Sequence, residues 1–271
     1  MVNVTYQLFE VGHCKHCERV TKKTGRLRAA NFPAIVALIS HPTKGKILFD
    51  TGYSARFFQY TKYFPFSLYR YLTPVTLTAN LKQQLANQSI AAEDINYIIL
   101  SHLHADHIGG VTDFSHAKLI MHPDTLTQSK QINQWRNLLK GFIPQLLPAD
   151  YLTRLSPIGK SRTLQAEFMP FEQGFDVFGD GSVMLVELPG HAKGQLGAIL
   201  NSKPKAFLIA DSCWHIDTIL KADLPHKVTR LVHDNWAQYL KTITKLKQFN
   251  QNNPDIELIP SHCAKTFERL T

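Results

Sequence analysis

Apolar positions along the chain fall into short β-branched runs separated by polar turns, with few long helical stripes. Ala34 to Ser40 and Lys46 to Asp50, split by a turn at Pro42 and Gly45, predict a hairpin whose second strand ends in Asp50-Thr51-Gly52. Met1 to Glu10 alternates as a strand does. Further strands are predicted at Ile95–Leu100, Lys118–Met121, Val183–Leu188, Gly197–Leu200, Ala206–Ala210 and Glu257–Pro260. Helical stretches are predicted at Leu81–Asn87, from Asp124 to about Gly141, and at Asn235–Asn250. Strand and helix alternate, which defines an α/β class. Pro144 to Pro170 reads as irregular, so residues 124–165 are expected to form a helical cap on a single domain spanning 1–271. Between Tyr53 and Val75 an aromatic cluster (Phe57, Phe58, Tyr60, Tyr63, Phe64, Phe66, Tyr69, Tyr71) lacks a clean period. Two readings stand level for it: buried filler, or an apolar wall beside a pocket.

With 44% hydrophobic and 19% charged residues the chain is too apolar for disorder. No apolar run approaches the ~18 residues a membrane span needs, so no span is expected. The balance of 30 Lys and Arg against 21 Asp and Glu, a net of +9, would suit an anionic partner if it were clustered. The basic residues, among them Lys22, Lys23, Arg26 and Arg28, form no dense stripe, so a nucleic-acid partner is not expected. Met1–Glu10 lacks a basic n-region and a long apolar h-region, which points to a cytoplasmic location. Reduced thiols are then expected at Cys14, Cys17, Cys213 and Cys263.

The thirteen histidines carry the chemistry. In His102-x-His104-x-Asp106-His107 three imidazoles and a carboxylate follow directly on a strand. His102 and His104, two apart in an extended segment, share a side, whereas Asp106 and His107 lie in the turn that follows and are free to face a second ion. A His/Asp set without thiolates suits borderline metals and leaves room for water. His191 after Leu188-Pro189-Gly190, Asp211 after Ala210 and His262 after Pro260-Ser261 each stand at the end of a predicted strand, where α/β folds place their sites.

On these residues the chain resembles the metallo-β-lactamase-fold hydrolases: the HxHxDH loop, Pro-Gly-His at 189–191, Asp211 and His262 fall in the family's order. The resemblance runs from the Asp50-Thr51-Gly52 turn to His262. It implies an αββα four-layer sandwich. It also implies two divalent ions, one held by His102, His104 and His191 and the other by Asp106, His107 and His262, with Asp211 bridging and Asp50 orienting a ligand imidazole. Zinc is expected, with manganese, iron or cobalt as alternatives. The implied reaction is hydrolysis by hydroxide generated between the ions, with Asp106 moving a proton to the leaving group.

Within that family the layout is most similar to the N-acyl-homoserine lactone lactonases, which share an aromatic segment after the Asp-Thr-Gly turn and a loop like Gly12-His13-Cys14. The expected substrate is a small molecule, a lactone or related carboxylic ester with an apolar tail. A phosphodiesterase or ribonuclease, or a thioesterase, of the same fold is the alternative. Only nine residues follow His262, too few for the C-terminal helical region of the glyoxalase II-like thioesterases. One position departs from the lactonases: Trp214 stands three residues after Asp211, where they carry a tyrosine, and His215 is a candidate replacement. Cys14-Lys15-His16-Cys17 is expected to be a reduced surface loop near the site mouth, since a lone CxxC is a weak zinc signal. Cys213 and Cys263 read as packing residues. The assembly admits a homodimer.

Overall fold

The computed structural model describes residues 1–131 and 133–271. Its first half builds a six-stranded sheet from β1 (Thr5–Cys17), β2 (Ala29–His41), β3 (Gly45–Phe49), β4 (Val75–Thr76), β5 (Ile95–Ile99) and β6 (Lys118–Ile120), in the order β4-β1-β2-β3-β5-β6. Helices α1 (Glu18–Thr21), α2 (Ala55–Tyr60), α3 (Ser67–Leu72), α4 (Leu81–Ala86), α5 (Ala105–Ile108), α6 (Pro123–Ser129) and α7 (Gln134–Leu139) lie between and after its strands. The second half adds β7 (Lys160–Thr163), β8 (Gln173–Asp176), β9 (Val183–Glu187), β10 (Leu196–Leu200), β11 (Ala206–Ala210) and β12 (Glu257–Pro260), in the order β12-β11-β10-β9-β8-β7. Helices α8 (Asp217–Leu220), α9 (Trp236–Asn252) and α10 (Ala264–Leu270) accompany them.

The unbroken apolar runs of the central strands have a direct cause: both faces of each sheet are covered. On β2, Ile35, Ala37 and Ile39 point into a core between the two sheets, where they meet Leu185, Ala198 and Leu208. The alternate residues Ala34, Val36 and Leu38 point outward into a second core with Phe57, Leu85 and Phe142. On β11, Phe207 and Ile209 pack outward against Tyr239, Leu246 and Phe249 of α9. A one-residue slip of β2 or β11 would exchange these two faces. Three cores between four layers make the αββα sandwich.

Three elements differ from the sequence reading. The helical stretch predicted from Asp124 is two helices, and the side chain of Asn133, which caps α7, accepts a hydrogen bond from Arg136 N at 3.0 Å. The segment read as irregular contains β7, an edge strand exposed along its whole length, so no apolar run marks it. The first strand extends past Glu10 to Cys17, with a register shift between Glu10 and His13. The Cys14–Cys17 segment is therefore a paired strand end and not a surface loop.

Candidate metal centre

β3 and β5 run parallel, as do β11 and β12, so these four strands bring their carboxyl ends to one edge of the sandwich. Asp50 follows β3, the histidine loop follows β5, Asp211 follows β11 and His262 follows β12; His191 comes from the turn after β9. Two non-glycine residues here have positive φ, Asp50 (63°) and Ala210 (48°). Such backbone costs about 1–3 kcal/mol and persists where the surroundings hold it. Gly190, at φ 127°, allows the next turn to press on α9: a Cβ there would lie 2.2 Å from Tyr239 N.

All seven predicted ligands converge. One nitrogen or oxygen from each of His102, His104, His191 and Asp211 lies within 4.8 Å of the others, and Asp106, His107 and His262 form a second such group. Asp211 touches both groups. Its Oδ2 is 3.3 Å from His191 Nε2 and 3.0 Å from His262 Nε2, and its Oδ1 is 3.2 Å from His107 Nε2. His262 Nε2 also stands 3.2 Å from Asp106 Oδ2, and His191 Nε2 is 3.0 Å from His104 Nδ1. His104 is half-buried and the other six are buried.

An outer layer aims the rings. His107 Nδ1–H donates to Asp50 Oδ2 at 2.7 Å, and His262 Nδ1–H donates to the Pro33 carbonyl at 2.7 Å. Ser101 donates its N–H to Asp50 Oδ1 and its hydroxyl to Oδ2, both at 2.8 Å. That hydroxyl has then spent its one proton, so it accepts from His102 Nδ1 at 3.0 Å. These bonds occupy Nδ1 of His102, His107 and His262 and turn each Nε2 inward, so that loss of the Nε2 proton leaves the tautomer a metal requires.

The donor set fits divalent cations. His102 Nε2, His107 Nε2 and Asp211 Oδ1 are buried without a hydrogen-bond partner; His107 Nε2 and Asp211 Oδ1 face each other without the alignment of a hydrogen bond. Buried polar atoms are rarely left without a partner, and inward-facing imidazole and carboxylate atoms are completed by an ion or by its bound water. Charge gives the same result, since the carboxylates of Asp50, Asp106 and Asp211 are buried among neutral-capable imidazoles. Burial would lower His107 and His262, but the carboxylates of Asp50, Asp106 and Asp211 around His107, and of Asp211 and Asp106 around His262, raise both well above the usual imidazole range. Burial would raise Asp106, but His107 and His262 bring it down to about 2. Burial holds His104 at about 4 and sets His102 and His191 well below their usual value. Protons thus collect where positive charge is needed, and divalent ions there would displace them.

Around the centre the remaining predicted residues separate. Trp214 stands beside His191, ring centroids 6.0 Å apart, and against His233 at 5.5 Å. His215 faces elsewhere: its Nε2 donates to Thr21 Oγ1 at 3.0 Å and its ring packs on Phe32, with burial lowering it to about 4. Cys213 and Cys263 are buried in the core against α9, and burial pushes the Cys14 thiol up to about 12. The aromatic segment divides. Phe57 is core, ringed by Tyr53, Phe58 and Tyr69 at 5.5 Å each, whereas Tyr63, Phe64 and Tyr71 are exposed. Sequence reasoning missed Ser101 and the Pro33 carbonyl. Ser101 had a signal, its place directly before His102; Pro33, 229 residues from His262, had none. A cavity of about 300 Å³ between α10 and β12, lined by Ile216, Pro254 and Lys265, holds none of the seven.

Residues 33–197 match the model of the Metallo-beta-lactamase superfamily, more than half of the chain, and the chain belongs to that superfamily. It is similar to the N-acyl homoserine lactonase AiiB of Agrobacterium fabrum (strain C58), 25% identical over 195 residues covering 70% of this chain and 65% of that protein. It is similar also to the metallo-hydrolase mfmC of Annulohypoxylon moriforme, 28% identical over 68% of this chain and 48% of the relative. The chain thus spans about two thirds or less of the length of these curated relatives. Among solved structures, an N-acyl homoserine lactone hydrolase with N-hexanoyl-L-homoserine at its catalytic metal centre superposes with TM-score 0.73 at 17% identity, over 100% of this chain and 97% of that one. The dizinc quorum-quenching lactonase AidC superposes with TM-score 0.68 at 17% identity, over 97% and 89%. These likenesses establish the fold.

Proposed function

We propose that the protein is a dimetal hydrolase that opens a lactone or cleaves a related carboxylic ester carrying an apolar tail. The observation that carries this reading is Asp211, whose two carboxylate oxygens reach imidazoles of both ligand groups. His102, His104 and His191 would hold one ion, Asp106, His107 and His262 the other, with Asp211 shared; zinc is the expected metal. Two such ions lower the pKa of a shared water and polarise a carbonyl oxygen.

The chain's own residues supply the rest. Asp50, through His107, keeps the second ligand group aimed. Asp106, buried beside His262 and His107, is the group placed to pass a proton to the departing alkoxide oxygen. Trp214, on the His191 side, offers an indole N–H that donates a hydrogen bond to substrate oxygen but transfers no proton. It replaces the lactonase tyrosine in position only. His215, directed at Thr21, takes no part. The similarity to AiiB supports a lactone.

The test is a panel of acyl lactones of increasing tail length, thioesters and phosphodiesters assayed with metal-loaded protein. Lactone hydrolysis is expected, with KM falling as the tail lengthens, since each buried methylene contributes about 0.8 kcal/mol. Turnover of phosphodiesters alone would refute it.

A further inference from the structure

The net positive charge, spread in sequence, is gathered by the fold. Four segments, residues 19–28, 62–72, 130–140 and 226–232, contain twelve of the thirty lysines and arginines and none of the twenty-one aspartates and glutamates. Among the described residues they also carry eleven of the fifteen large apolar side chains left exposed, including Leu27 (88%), Tyr71 (82%) and Leu231 (81%).

Contacts join the four into one rim. Phe64 and Trp135 meet edge to face at 5.2 Å. Lys140 Nζ reaches Asp234, just past the fourth segment, at 2.5 Å. His226 N donates to the Val20 carbonyl at 2.9 Å, and Lys23 N to that of Leu224 at 3.1 Å. The rim borders the metal residues. A Cβ on Gly141 would lie 2.8 Å from His104 Cδ2, and the His233 ring stands 5.2 Å from His191.

We propose that this rim docks the protein onto an anionic lipid surface, with the mouth of the metal centre facing the bilayer. Exposed apolar side chains amid cations, nine of the twelve without a salt-bridge partner among the described residues, are what interfacial membrane binding uses: the former enter the headgroup boundary and the latter meet anionic headgroups. The charged heads of Arg70 and Lys62 lie over the rings of Phe58 and Tyr63, cation–π contacts that set positive charge directly beside the apolar side chains of the rim. Two competing partners fit less well. A two-fold dimer through this face would set its cations against their own copies, and the flanking acids Glu18 and Asp234 are already paired within the rim. A nucleic acid would match the charge, but seven of the eleven exposed residues are leucine or valine, which have no ring for bases to stack on. The surface is independent of which ester the centre cleaves.

The test is co-sedimentation of the metal-loaded protein with phosphatidylcholine vesicles, with and without phosphatidylglycerol. Binding is expected only with phosphatidylglycerol, weakening as salt rises. The double variants Lys62→Glu/Arg136→Glu and Trp135→Ser/Leu231→Ser change exposed side chains, so their Tm should match wild type. The charge-reversed pair should lower vesicle partitioning by roughly thirtyfold or more, and the apolar pair should abolish the salt-resistant part. Lys203→Glu/Lys205→Glu, on the β10–β11 turn at the opposite end, should leave it unchanged. Absence of binding to anionic vesicles, equal loss in the Lys203/Lys205 variant, a concentration-dependent dimer broken by the rim variants, or tighter binding to single-stranded RNA than to vesicles would each overturn the proposal.

Discussion

Asp50 Oδ2 accepts the Nδ1 proton of His107 at 2.7 Å, across 57 residues of sequence and with both side chains almost wholly buried. The bond settles which nitrogen of His107 is left to face an ion and which way it points. Asp50→Ala should therefore leave all seven ligands in place yet weaken metal retention by about 10- to 100-fold. Competition against a chelator of known affinity reads this directly; unchanged affinity would mean that Asp50 serves Ser101 alone.

Asp106 and His104 separate the two halves of the centre. His104→Ala removes a donor from the first group and should reduce bound metal toward one ion per chain. Asp106→Asn keeps the shape but loses the carboxylate. If Asp106 passes the proton, kcat should fall by about 10²- to 10⁴-fold, with a smaller loss for substrates whose leaving alcohol is acidic. Aryl and alkyl esters compared on the variant make that distinction, and equal losses would assign Asp106 to metal holding only.

The candidate ligands were legible because they are local. His102 to His107 crowd one loop, and His191, Asp211 and His262 each mark the end of an apolar run, so the rule that sites gather at strand carboxyl ends located them before any contact was known. What holds these side chains in place was not legible, because it is long-range: the Pro33 carbonyl under His262 and the turn of β9 against α9 at Gly190 arise only when distant strands meet. Of the fold, the buried central strands showed through as apolar runs, while β7, exposed throughout, had no pattern to show. The basic rim illustrates the same limit, since Arg26, Lys62, Arg136 and Arg230 are neighbours on no stretch of sequence.

His215 offers a pH test away from the ligands. Burial lowers it to about 4, so the folded protein keeps it neutral while the unfolded chain takes up a proton below about pH 6.5. The unfolded state binds more protons between those values. Stability is thus fully present above pH 6.5 and is lost as pH falls toward 4, by at most about 3 kcal/mol. His215→Gln keeps a donor for Thr21 without titrating. Urea unfolding at pH 7.5 and pH 5 should show wild type losing more stability than the variant over this interval; parallel losses would show that His215 titrates normally.

Seven side chains, Asp211 shared among them, are proposed to hold two divalent ions. Elemental analysis of protein purified without chelator and supplemented with zinc measures this most directly. Close to two metal ions per chain are expected, falling toward one in His104→Ala, with protons released on reloading the stripped protein. A stoichiometry near zero in folded, supplemented protein would contradict it.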